Sequence, residues 1–148
     1  MVGADADLEA ILVPSSVKVA GAITIGAGVC ALVTGLQTLL FFNMRGALNL
    51  VGPIALVLGA GCVFSGWGVV RGRMNAAVAA VGVVGLTGLC GMAWVMFTFL
   101  SAAISMIAIA VLPLSAVAIF LVTLALKDVK KIEDARGRLR AQGLDGGF

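Results

Sequence analysis

Cys30, Cys62 and Cys90 are the residues of this chain with the widest chemistry open to them, because a thiolate can bind a metal, close a disulfide or attack a substrate. Their placement argues against all three uses. There is no C-x-x-C pair, and no carboxylate or imidazole shares the apolar runs that hold them. By helix rise, Cys62 and Cys90 are displaced to opposite sides of mid-span, roughly 9 Å apart in depth. A disulfide needs Cα atoms within about 7 Å. The three therefore read as small buried apolar residues.

The other chemistry-bearing side chains are excluded by inventory or by position. The chain has no His and no Tyr, which removes histidine haem ligation, histidine metal sites and imidazole proton relays. All seven acids (Asp5, Asp7, Glu9, Asp128, Glu133, Asp134 and Asp145) fall outside the apolar runs. Proton- or cation-coupled transport draws on an intramembrane carboxylate or a similar relay, and none is present there. Hydrolysis lacks a His/Asp-supported nucleophile, and phosphoryl transfer lacks a Gly-rich loop with Lys. The sequence thus predicts no catalytic residue, no metal site and no cofactor.

Two other patterns remain. Gln37 and Asn49, with Thr98 and Ser105, fall at similar predicted depth and form a possible polar cluster. It would line a vestibule, hold a polar headgroup, or only bond helices together at about 0.6–2 kcal/mol per bond. The glycines are sharper. Gly21, Gly28 and Gly35 repeat every seven residues, and so do Gly52, Gly59 and Gly66. A seven-residue repeat keeps one helix face smooth, so two backbones can approach and gain dispersion contact. Gly82, Gly85 and Gly88 recur every third residue, a ridge that winds around its helix. These nine glycines are the expected helix-packing interface.

The elements that must carry these residues follow from hydropathy. The chain of 148 residues is 61% hydrophobic and 11% charged, with a mean hydropathy of +1.18. A soluble domain of this size needs more polar cover; a bilayer removes the need. Four apolar runs, about 17–42, 47–70, 75–100 and 102–126, are each long enough to cross a ~30 Å hydrocarbon core. The expected fold is an all-α integral membrane protein, a four-transmembrane-helix bundle over 17–126 with short loops. Asn43-Met44-Arg45-Gly46 breaks the first pair, and Arg71-Gly72-Arg73 the second. No charge lies between Arg73 and Lys127, so the turn between the last two spans is placed at 99–103, where Ser101 can cap a helix. Pro113 falls within the fourth span and should kink it. The fourth span has no Gly, so the first three spans should pack tightly and the fourth should face lipid or a partner.

Residues 1–16 read as an interfacial segment that Pro14 ends, and residues 127–148 as a charged cytosolic helix with a flexible tail. Val129, Ile132, Ala135 and Leu139 give that helix a thin apolar stripe. The N-terminus carries Asp5, Asp7 and Glu9 and no base before Lys18, unlike the positive start of a secretory signal, so the first span is expected to persist. With four spans, Lys18, Arg71, Arg73, Lys127, Lys130, Lys131, Arg136, Arg138 and Arg140 fall on one side and only Arg45 on the other. The positive-inside rule then places both termini in the cytoplasm, the membrane being read as a bacterial inner membrane. The same rule accounts for the net charge of +3 without nucleic acid. The expected partners are the lipid bilayer and either further copies of the chain or larger membrane proteins. The expected role is a non-catalytic structural or accessory subunit, with an oligomeric pore or uncoupled channel as the runner-up.

Overall fold

The computed structural model describes residues 12–41, 50–99 and 106–141. Four helices make up these segments: α1 Ser15–Phe41, α2 Val51–Val70, α3 Met74–Phe99 and α4 Met106–Ala141. All four are long and apolar enough to cross a membrane, and no strand occurs among the described residues. Residues 1–11 of the expected interfacial segment, the break at 43–46, residues 100–103 of the expected turn and the tail from 142 lie outside the described residues.

Local chemistry explains the helix ends. Pro14 cannot continue a helix backwards, and its carbonyl accepts the amides of Val17 and Lys18 at 3.1 and 3.2 Å. Pro53 is the third residue of α2, where a missing N–H breaks no intrahelical bond. Arg71 and Gly72 end α2. Gly72 takes φ +65°, a left-handed conformation that costs a side-chain-bearing residue roughly 1–2 kcal/mol. Its amide bonds Val69 O at 2.8 Å and the Arg73 amide bonds Gly68 O at 3.1 Å, the paired closure of a Schellman motif. Arg73 O then accepts the Ala77 amide at 3.1 Å, so α3 begins where the cap of α2 finishes.

The helices form a ring: α1 packs on α2 and α4, α3 packs on α2 and α4, and α1 meets α3 only slightly across the diagonal. All four supply the main cluster, with Val17 and Ala20 from α1, Val69 from α2, Ala77 and Ala80 from α3, and Val122, Ala125 and Val129 from α4. Cys62, Val84 and Ala118 form a second cluster further along the bundle.

Packing differs from the sequence expectation in one respect. α1 is the most enclosed span and α3 the least, while α4 closes the ring. Glycine content misleads here because alanine and serine do the same work on α4. Its buried positions are Val111, Ser115, Ala118, Val122, Ala125, Val129, Ile132, Ala135 and Leu139, steps of three and four that trace a coiled-coil seam. The seam passes Lys127 without a break, and the stripe of the charged segment is its last four positions. α4 is helical through Pro113, and two residues later Ser115 Oγ donates to Val111 O at 2.7 Å.

Candidate functional site

The three glycines of α1 meet the three of α2 in antiparallel register. A Cβ added at Gly21 would lie 2.8 Å from Gly66 O, one at Gly28 2.7 Å from Gly59 O, and one at Gly35 2.9 Å from Gly52 O. The reverse contacts match, with Gly59 facing Gly28 O at 2.8 Å and Gly66 facing Gly21 O at 3.0 Å. Each pair is one heptad from the next, about 10.5 Å along the axis, so the backbones stay close over three levels. Val70 N, Leu32 N, Ile25 N and Leu56 N also lie within 3.0 Å of these added carbons. At every one of these five positions at least one obstacle is main chain, which cannot swing aside.

α2 has a second smooth face that sequence reasoning missed. Gly61 lies against Val83, and Gly68 against the Cβ of Ala76, both on α3. Their seven-residue spacing was the available signal. On α3 the ridge divides. Gly88 faces Ser115 at 3.3 Å, whereas at Gly82 and Gly85 an added Cβ would have nothing within 4 Å among the described residues.

The buried hydroxyls bond back within their own helices. Thr24, Thr34, Thr38, Thr87 and Ser115 each donate to the carbonyl four residues earlier at 2.7–2.8 Å. Of the polar cluster, Gln37 is half-buried on α1, while Asn49 and the side chains of Thr98 and Ser105 lie outside the described residues. The cysteines are free thiols; Cys62 is buried, Cys30 and Cys90 half-buried. Cys62 Sγ and Thr87 Oγ1 are 3.2 Å apart and join α2 to α3. The single hydroxyl hydrogen of Thr87 goes to Val83 O, so the thiol is the donor. Cys62→Ala should cost about 1–2 kcal/mol through that bond and the small void. Cys30→Ala should cost under about 0.5 kcal/mol, as for sites away from such features. Unfolding each variant in mixed micelles checks the difference; equal costs would mean that the thiol bond contributes nothing.

Between the helices a cavity of about 20 Å³ is walled by Ala31, Ala55, Cys90, Gly91, Trp94 and their neighbours. Its surface is almost wholly apolar, and a water there would lack the two to four polar partners it needs. Among the described residues no group of His, Cys, Asp or Glu is arranged to hold a metal ion.

Charge and hydrogen bonding gather instead at the end of the bundle that carries the α2–α3 turn. Arg136 of α4 donates from Nη1 to Gly72 O at 3.2 Å and from Nη2 to Arg71 O at 3.0 Å. One turn earlier, Glu133 Oε2 accepts the Met74 amide, the first of α3, at 3.0 Å. Ile132 lies against Gly72, its Cδ1 3.3 Å from an added Cβ. The end of α2 and the start of α3 are therefore both held by α4. By sequence Glu133 and Arg136 are ordinary charges of the 127–148 segment, and their i,i+3 spacing beside its apolar stripe is the one hint of this latch. No protein-family model, curated protein or solved structure matches the chain.

Proposed function

We propose that the chain is a non-catalytic structural or accessory subunit of a membrane assembly. One observation carries this reading: among the described residues, small apolar side chains and self-bonded hydroxyls pack the space between the helices around an apolar cavity of about 20 Å³. Glycine pairing makes α1 and α2 a stiff hairpin on which α4 is laid, and the latch adds the turn. Such a scaffold suits holding and being held. The contact surface we assign is the flank of α3 that carries Gly82 and Gly85, since this span is the least enclosed and those glycines meet nothing among the described residues. The partners are further copies or larger membrane proteins.

We place the protein in a bacterial inner membrane with both termini cytoplasmic. The support is that Arg71, Arg73, Arg136 and Arg140 border one recess, which puts the α2–α3 turn and the basic end of α4 on one side. An oligomeric pore is the second reading. The open flank of α3 favours it, because a ring of copies could line a pathway with small residues.

Native mass spectrometry after mild extraction tests the proposal. Larger, different subunits in fixed stoichiometry support the accessory role. A ring-sized homo-oligomer that conducts in liposomes replaces it with the pore, and a strict monomer sinks both.

A further inference from the structure

At the latched end, the α2–α3 turn and the basic end of α4 enclose an open cup of about 1030 Å³. Among the described residues its charged wall is made by Arg71, Arg73, Arg136 and Arg140 against the carboxylate of Glu133. Arg136 adds its charge to that wall, because the hydrogen bonds of its Nη1 and Nη2 go to neutral carbonyls. Among the described residues its Nε is buried with no partner. The first residues of α3, Met74, Asn75 and Ala76, also line the cup, so the positive end of a long helix opens into it. Glu133 on the Met74 amide shows that this end accepts an anionic oxygen.

We propose that the cup binds the phosphate of an anionic phospholipid headgroup. Guanidinium forks and helix amides are matched to phosphate oxygens. The rim favours a lipid over free phosphate. Trp67, 56% exposed, stands one turn before the cup with the Arg71 guanidinium 5.3 Å from its ring centroid. An exposed tryptophan carrying a cation at the end of an apolar span marks the headgroup level. One turn before Trp67 on α2, exposed Phe64 supplies apolar surface against which an acyl chain would lie, and Val78 on α3 is exposed as well.

Lipid titration followed by native mass spectrometry tests this on the intact protein. The probes are phosphatidylglycerol, phosphatidylcholine with the same chains, and inorganic phosphate. The first phosphatidylglycerol should bind about tenfold more tightly than phosphatidylcholine, which carries the same phosphate but brings a choline cation against the arginines of the cup. Arg73→Gln with Arg140→Gln should abolish that preference. Lys130→Gln with Lys131→Gln removes equal charge from exposed sites on the same helix and should preserve it. Should the double arginine variant fail to fold, Arg140→Gln alone, at an exposed site, should still reduce the preference severalfold. Equal binding of the two lipids, an equal loss in the lysine variant, or unchanged preference in the arginine variants would overturn the proposal. So would displacement of phosphatidylglycerol by low millimolar phosphate, which would make free phosphate the ligand.

Discussion

Gly28→Ala and Gly59→Ala should each destabilise the protein, and Gly28→Leu and Gly59→Leu should prevent assembly of the native bundle. On helix propensity alone, Gly→Ala would stabilise by about 1 kcal/mol. At Gly28 the new carbon would stand 2.7 Å from Gly59 O and 2.8 Å from Cys62 Cβ; at Gly59 it would stand 2.8 Å from both Gly28 O and Leu32 N. Overpacking of this kind costs about 1–3 kcal/mol and outweighs the propensity gain, since relief requires moving a helix. Leucine adds three further carbons at the same point. The α1 and α2 backbones must then separate along their length, and the contacts at Gly21–Gly66 and Gly35–Gly52 go with them. Gly82→Ala and Gly85→Ala meet nothing within 4 Å, so propensity acts alone and these variants should be neutral or slightly stabilised. The contrast in sign is the test, measured by unfolding in mixed micelles with native mass spectrometry for assembly. If alanine at Gly28 and at Gly82 give the same shift, close backbone contact is not what holds α1 to α2. If the Gly82 and Gly85 variants are stable yet lose their partners, the open flank of α3 is the contact surface.

The four helices were legible because their signal is additive. Twenty or more apolar residues in a row outweigh any local detail, and the charged breaks at 71–73 and after Leu126 bound them. The register of the first hairpin was also available. Gly21 and Gly66, Gly28 and Gly59, and Gly35 and Gly52 are each equidistant from the Asn43–Met44 bond, within the polar break. Two glycine heptads arranged in that way can face each other level by level in only one antiparallel pairing. What could not be read was which helix closes the ring. Small residues mark close contact, but alanine and serine on α4 mark it as well as glycine does, and in an alanine-rich chain their heptad spacing is easily lost. The latch was hidden for a different reason. Glu133 and Arg136 are ordinary surface residues by type, and their bonds go to main-chain groups of residues 71–74, which no side-chain pattern announces. Of the polar cluster, only Gln37 falls among the residues whose side chains are described.

The latch carries the other large expected effect. Ile132→Ala should cost about 2–5 kcal/mol, the range for removing an isoleucine from a tight core. Ile132 is 1% exposed although it lies in the charged segment. It follows Val129 in the α4 seam and lies against Gly72, where the left-handed backbone leaves room for it. Truncation to alanine empties that space and frees the end of α4 from the α2–α3 turn. The polar bonds alone are weaker. Arg136→Leu gives the carbonyls of Arg71 and Gly72 back to water, and Glu133→Gln keeps an acceptor for the Met74 amide. Each should cost roughly 1 kcal/mol, the net worth of a part-exposed hydrogen bond. Lys131→Ala, at a neighbouring exposed site, should do almost nothing, since its pairing with Asp128 at 3.9 Å is a surface contact. Hydrogen exchange localises the effect. Ile132→Ala should speed exchange at the amides of Gly72, Arg73 and Met74 and along α4 beyond Val129, and leave the α1–α2 hairpin protected. If Ile132→Ala and Lys131→Ala exchange alike, the charged helix moves independently of the bundle. A common increase at the turn and at α4 would establish that this segment belongs to the core of the protein and that the end of α4 and the junction of α2 and α3 open together.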